Sequence, residues 1–506
     1  MCKIVSNLAG YEYETIALVR SFFPGEEVKM VTPESATKDR ELLNAPADME
    51  LILEQEDGAV PGDEETMPVI TALRLNLSSE PQKSYELAFV KPFDTAERQD
   101  RHDLKEVLKL FLYDSLSDYT GESLPWGDLI GIRPTKIAMT MLEEGKEEEE
   151  IAAFLKGSHR VSDEKIALAI DIARREKELL DRLHYENGYS LYIGIPFCPT
   201  TCLYCSFTSY SIAAWRDRVE DYLNALYREI EYVAAEHGDR ILDTLYIGGG
   251  TPTSLSAEQM DALLTKLEEK LDLSHLLEFT VEAGRADSIT EEKLEVLAKH
   301  KVTRISVNPQ TMKQATLDLI GRRHTVEQVV EAYETARRIG FDNINMDIIL
   351  GLPGENEEDV ADTIRRITAL SPDSLTVHSL AIKRASKLGD WIRQNGIETL
   401  SNTDKTMEIA RGGAATLNMQ PYYLYRQKNI SGNFENVGYA REGKFGIYNI
   451  LIMEEVQTIV ACGAGTITKR VYPDGRIERC DNVKDVGLYI EKVEEMIGRK
   501  RALFKD

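Results

Sequence analysis

The stretch Ser190-Leu-Tyr192-Ile-Gly194-Ile-Pro-Phe-Cys198-Pro-Thr-Thr-Cys202-Leu-Tyr-Cys205-Ser-Phe207 decides the fold. Its first half is an apolar run, as expected of a parallel strand buried on both faces. Its second half packs three cysteines into one short loop. Three thiolates can hold three irons of a 4Fe-4S cluster, which normally takes four cysteines. The fourth iron would then be open to a ligand. Structural zinc wants four closed ligands, and no second CxxC or nearby His completes such a set. A redox dithiol needs only a single CxxC. The loop therefore reads as an iron–sulfur site at the end of a strand.

The chain around this stretch repeats a strand–helix unit. Strands are expected at 190–195, 242–247, 277–283, 302–307, 344–350 and 374–380. Helices are expected at 213–236, 257–271, 291–300, 326–339 and 357–370. Strands alternating with helices imply a parallel sheet with crossover helices. Six units suit a partial (β/α)6 barrel, since a closed barrel needs eight.

In such folds, sites gather at the carboxyl ends of the strands. The cysteine loop follows the first strand, and Gly248-Gly-Gly-Thr251-Pro-Thr follows the second. Glu282 ends the third, and Asn308 and Gln310 follow the fourth. Asp347 lies in the fifth, which Gly351-Leu-Pro-Gly354 closes, and His378 lies at the end of the sixth. Every unusual polar or Gly-rich feature falls at one rim. Glycines there let backbone groups approach a ligand. Glu282, ionised, is acceptor-only and suits hydroxyl or amine groups. Arg322 can clamp a carboxylate.

Outside the core, residues 1–95 mix strand-like and turn-rich pieces and read as a small α/β domain. Residues 96–185 are helical, broken by a loop around Trp126. Residues 186–395 form the core, and residues 396–506 a smaller C-terminal domain. The chain has 506 residues and six cysteines, too few for a disulfide framework; Cys2, Cys462 and Cys480 read as buried or idle thiols. The net charge of −26 argues against a sequence-independent grip on nucleic acid. No membrane-length apolar run and no signal-peptide pattern stands out, so a cytoplasmic location is expected.

The order of motifs resembles a known family. Y-x-G-x-P-F-C-x3-C-x2-C, G-G-G-T-P-T, V-N-P-Q, G-R-R-H and N-M-D-I-I-L-G-L-P-G resemble the oxygen-independent coproporphyrinogen III oxidase group of radical S-adenosylmethionine (SAM) proteins. The N-terminal region, Phe22-Phe-Pro24 and Trp126-Gly…Gly-Ile-Arg-Pro-Thr-Lys136 look most like its coproporphyrinogen dehydrogenase HemZ branch. The resemblance implies a 4Fe-4S cluster on Cys198, Cys202 and Cys205. It implies SAM contacts from Tyr192, Phe207, Gly249, Thr251, Glu282, Gln310, Arg322 and Asp347. The implied reaction is hydrogen abstraction from a propionate by a 5′-deoxyadenosyl radical, then loss of CO2 and one electron. Two rounds take coproporphyrinogen III to protoporphyrinogen IX. An electron donor is required.

Two positions depart from that group. It carries His two residues after the motif Tyr, where this chain has Gly194. It carries a non-ligating Cys two residues after the third ligand, where this chain has Phe207. Both changes are expected to touch the reaction pocket. Cations are needed for a tetracarboxylate, and Lys383 and Arg384, just after the sixth strand, are candidates; a solvated basic turn is the alternative. Two other functions compete, a haem-binding chaperone on the same fold and a radical-SAM enzyme with another substrate. The chaperones typically carry an H-N-x-x-Y-W motif, and Tyr448-Asn449-Ile-Leu-Ile-Met453 lacks its His and aromatic pair.

Overall fold

The computed structural model describes residues 1–23, 26–32, 35, 49–58, 69–78, 81–131, 133–185, 187–207, 209–383, 386–427 and 434–505. Arg384 lies outside the described residues. The chain divides into two compact units, Met1–Ile170 and Asp171–Asp506.

The first unit holds a five-stranded sheet of β1 (Cys2–Ser6), β2 (Val28–Val31), β3 (Met49–Gly58), β4 (Val69–Leu77) and β5 (Lys83–Phe93), in the order β2-β1-β3-β4-β5. β1 pairs parallel with β2 and β3, and β3, β4 and β5 pair antiparallel. Helices Glu12–Phe22 and Arg98–Thr120 bring Leu18, Val19, Leu104, Leu108 and Leu112 into one core with Ile4, Leu51, Leu73 and Leu75. Trp126 is buried in the loop that follows. Gly127 adopts φ +56°, and a Cβ there would meet the His159 carbonyl, so the loop closes tightly on that residue.

The second unit is built on one eleven-stranded sheet. Its centre is six parallel strands: β6 (Gly188–Ile195), β9 (Ile241–Gly249), β10 (Glu278–Gly284), β11 (Arg304–Val307), β12 (Ile344–Leu350) and β13 (Ser374–Ser379). The short pair β7 (Phe197–Cys198) and β8 (Tyr210–Ser211) stands apart from it. Helices cross between successive strands, and this is a partial (β/α)6 barrel. β12 is buried along nearly its whole length, which explains its lack of alternation. Sequence-local signals start the helices: Ser256, Thr325 and Asn356 each form a capping box with the residue three further on.

The expected helix 213–236 is broken. Ile212–Trp215 ends in a 3-10 turn at Arg216–Arg218 before Val219–Glu236 begins. The C-terminal residues extend the same sheet at both edges. β14 (Gln420–Tyr425) and β15 (Asn436–Ala440) add antiparallel beside β13. β16 (Ile459–Cys462) pairs parallel with β6, and β17 (Ile467–Val471) and β18 (Ile477–Asp481) continue antiparallel. The last helix, Val493–Phe504, is anchored by a buried pair: Lys500 Nζ stands 2.6 Å from Glu229 Oε1. Asn482, Tyr489 and the Gly463 amide donate to the same carboxylate, so its acceptors are satisfied. Among the described residues, no helix is long and apolar enough to cross a membrane.

Candidate active site

The carboxyl ends of the parallel strands surround a cavity of about 320 Å³. Cys198, Cys202, Cys205, Phe207, Gly249, Thr251, Glu282, Gln310, Arg322, Asp347 and Lys383 all line it. Tyr192 does not. Its ring lies 6.0 Å from both Tyr246 and Tyr448, which stack on one another with centroids 4.4 Å apart. Gly194 does not line it either, which corrects the expectation drawn for that position. A Cβ on Gly194 would lie 2.6 Å from Thr466 Cγ2. The turn between β16 and β17 therefore fills the space a side chain would need. Phe207 is exposed at the mouth.

The cysteine loop is fixed by backbone contacts. The amides of Gly250 and Thr251 donate to the carbonyls of Ile195 and Phe197 at 2.8 and 2.7 Å. A Cβ on Gly250 would stand 2.6 Å from the Phe197 oxygen, so only glycine permits this approach. The Thr251 hydroxyl lies 3.4 Å from Cys198 Sγ. Burial pushes the Cys198 thiol up to about 11, and the Thr251 hydrogen bond partly offsets this. Arg285, which follows the third barrel strand, is a site residue that sequence reasoning missed. Its guanidinium is held by Asp287 at 3.0 and 2.7 Å and stands 3.7 Å from Cys202 Sγ. It places a cation beside the cysteine loop, and its charge acts against the burial that raises the Cys198 thiol. The strand-end rule could have reached it.

Glu282 is the most perturbed carboxylate of the cavity. Burial pushes it up to about 7; the Tyr246 hydroxyl, donating at 2.6 Å, pulls it back and the Asp347 charge adds to the rise. A Cβ on Gly248 would lie 2.9 Å from its carboxyl carbon, which accounts for glycine there. Asp347 behaves oppositely. Burial raises its pKa, but His378, Asn345 and Thr376 outweigh this and it lies below the usual carboxylate range.

Gln310 is held at φ +66°, an uncommon conformation for a residue with a side chain. Its amide donates to the Asp347 carbonyl and its carbonyl accepts from Ile349, both at 2.9 Å. Two hydrogen bonds to β12 thus hold a strained residue at the cavity. Arg322 donates to the Asn308 carbonyl at 2.5 Å. Three buried polar atoms here lack any hydrogen-bond partner among the described residues: Asn308 Oδ1, Gln310 Oε1 and Arg322 Nε. Each such atom costs about 1–3 kcal/mol when left unpaired. Two acceptors and one cationic donor at one cavity fit a ligand carrying amine or hydroxyl donors and a carboxylate, and SAM has all of these. Three thiols in one loop likewise fit three irons of a cluster.

Sequence reading also left Tyr425 and Gln427 without a role. Both line the cavity from the end of β14, beside His378. They stand at the carboxyl end of β14, an edge strand that runs in the same direction as the six barrel strands, with the antiparallel β15 between it and β13.

This fold, with three thiols and a polar cavity at one rim, defines a radical SAM protein. Residues 192–367 match the Radical SAM superfamily. The chain is 41% identical over 424 residues to the oxygen-independent coproporphyrinogen-III oxidase-like protein HemZ of Bacillus subtilis (strain 168), covering 83% of this chain and 84% of that protein. The chain belongs to that HemZ family within the superfamily. It is also 40% identical over 195 residues to the heme chaperone HemW of Bacillus subtilis (strain 168), over 38% of this chain and 51% of that protein. A solved structure, coproporphyrinogen III oxidase (HemN) from Escherichia coli, is similar over 63% of this chain and 72% of its own. The identity there is 23% and the TM-score 0.49.

Proposed function

We propose that this chain is an oxidoreductase that decarboxylates propionate side chains of coproporphyrinogen III, giving protoporphyrinogen IX without oxygen. The observation that carries the reading is a single cavity that joins the three-thiol loop to Lys383. The Lys383 ammonium has no ion-pair partner among the described residues, and burial lowers its pKa. Such a group can receive a substrate carboxylate. Membership of the HemZ family supports the same substrate.

In this reading Cys198, Cys202 and Cys205 would hold three irons of a 4Fe-4S cluster. Arg322 would pair the SAM carboxylate, and Gly249, Thr251, Glu282, Gln310 and Asp347 would take its remaining polar groups. When bound, these cofactors supply the one-electron chemistry that removes a hydrogen atom from the propionate β-carbon; CO2 and one electron then leave, and a vinyl group remains. Phe207 would cover the mouth and limit water. Lys383, with Arg384 from outside the described residues, would hold propionates. An external donor would supply the electron that starts the reaction, and a one-electron acceptor would take the electron released with CO2.

A second reading is a haem-binding chaperone, favoured by the match to HemW. One anaerobic assay separates the two. The protein is reconstituted with iron and sulfide, reduced, and given SAM and coproporphyrinogen III. Deoxyadenosine together with protoporphyrinogen is the expected result. Deoxyadenosine without decarboxylation refutes the substrate. Tight haem binding with no SAM cleavage favours the chaperone.

A further inference from the structure

Arg285 directly follows β10 and is only 3% exposed, so its charge acts in a nearly water-free setting. Nε and Nη2 donate to the two carboxylate oxygens of Asp287 at 3.0 and 2.7 Å. Nη1 points the other way. It donates to the Thr200 carbonyl at 2.9 Å and stands 3.7 Å from Cys202 Sγ. Nη1 carries two N–H groups, so it can serve both acceptors. The turn that carries Asp287, Ala286–Ser288, is itself pinned. Ser288 donates from its amide and its hydroxyl to the Arg285 carbonyl at 3.0 and 2.8 Å, and Lys293 Nζ donates to the Ser288 carbonyl at 3.0 Å. The planar fork is thus held with one edge on Asp287 and its Nη1 corner on the cysteine loop.

The thiols of the loop are not served alike. Cys198 Sγ receives the neutral Thr251 hydroxyl, whereas Cys202 Sγ receives a buried cation. Arg322 also faces Cys202, but the proposed reading gives it to the SAM carboxylate. Arg285 has no such freedom, because Asp287 already takes its two parallel N–H groups. We propose that Arg285 raises the reduction potential of the cluster site by donating to the Cys202 thiolate. The inference rests on the reading of the loop as a 4Fe-4S site. One-electron reduction by the external donor adds one negative charge there and makes or breaks no bond. A guanidinium hydrogen-bonded to a ligating sulfur favours the state with the extra electron, because hydrogen bonds to the sulfurs and nearby charge set such potentials. A donor of given strength then reduces the site more completely.

The test is an anaerobic redox titration of the full chain, reconstituted with iron and sulfide and free of SAM. The reduced cluster is followed by electron paramagnetic resonance as the applied potential is stepped. The midpoint is read from the clusters present and does not depend on how many there are. Arg285→Gln removes the charge. At a fixed potential its ratio of reduced to oxidised cluster should fall about tenfold, the scale of one hydrogen bond to a charged group, which is a midpoint about 59 mV more negative. Arg285→Lys keeps the charge, but a single ammonium cannot replace the fork, so it should shift the same way by about half as much. The Lys variant decides the matter if the Gln variant holds no cluster. If Arg285 merely tied the loop to β10 through Thr200, the variants would lose iron while the remaining clusters kept the wild-type midpoint. That result, or a midpoint that moves positive, overturns the proposal. A reconstituted wild-type protein with no 4Fe-4S signal removes the cluster reading itself, and this inference with it.

Discussion

Replacing Glu282 by Gln separates what the cavity costs from what it does. The folded carboxyl titrates at about 7, raised chiefly by burial, against an ordinary value of 4.5. A carboxyl whose folded pKa is raised adds most to stability when protonated. That contribution is fully present below the unfolded value and is lost as pH rises through 7. Between pH 5 and pH 8 the wild-type protein should lose about 2.5 kcal/mol that Glu282→Gln does not lose, since each pKa unit is worth about 1.4 kcal/mol. Urea unfolding of the ligand-free protein and its variant at the two pH values measures this difference, and groups common to both cancel. SAM binding should move the other way. The ionised carboxylate accepts from ligand donors, so wild-type affinity should tighten as pH rises through 7, while the variant stays weak and flat. Parallel stability profiles for the two proteins would refute the assignment of a buried, largely protonated Glu282. A pH-independent wild-type affinity would refute its role as an ionised acceptor.

Three further outcomes are expected. Gly250→Ala would force a Cβ to within 2.6 Å of the Phe197 oxygen, so iron and sulfide content after reconstitution should fall sharply; Gly412→Ala, with open space at its Cβ, should leave it unchanged. Changing any one of Cys198, Cys202 or Cys205 to Ser should abolish the cluster absorbance, whereas Cys462→Ala, at a buried thiol of β16, should retain it. Lys500→Met strands the buried Glu229 carboxylate and should cost about 3–5 kcal/mol in urea unfolding, most of which Lys500→Met with Glu229→Gln should restore.

The strand–helix alternation from 188 onward was legible because period and apolar runs are local properties. The boundaries of β12 and of helices Val326–Ile339 and Glu357–Leu370 could be read to the residue. Tertiary context moved others. The helix expected at 213–236 breaks at Arg216–Arg218, where the chain leaves the cysteine loop region. Arg285 escaped notice although it follows a strand end, because an Arg after a Gly looks like an ordinary surface residue until its contact with Cys202 is seen.

The sequence by itself determined that three thiols share one loop, that a parallel sheet follows, and that the polar residues fall on one rim. All of these are set by spacing along the chain. Only the tertiary structure decided that Tyr425 and Gln427 stand beside His378, that Thr466 fills the space at Gly194, and that Tyr192 packs in an aromatic cluster with Tyr246 and Tyr448. Those facts depend on antiparallel returns and edge pairings between residues far apart in sequence. No local period encodes such pairings, because the register of one strand against another is fixed by packing across the whole sheet.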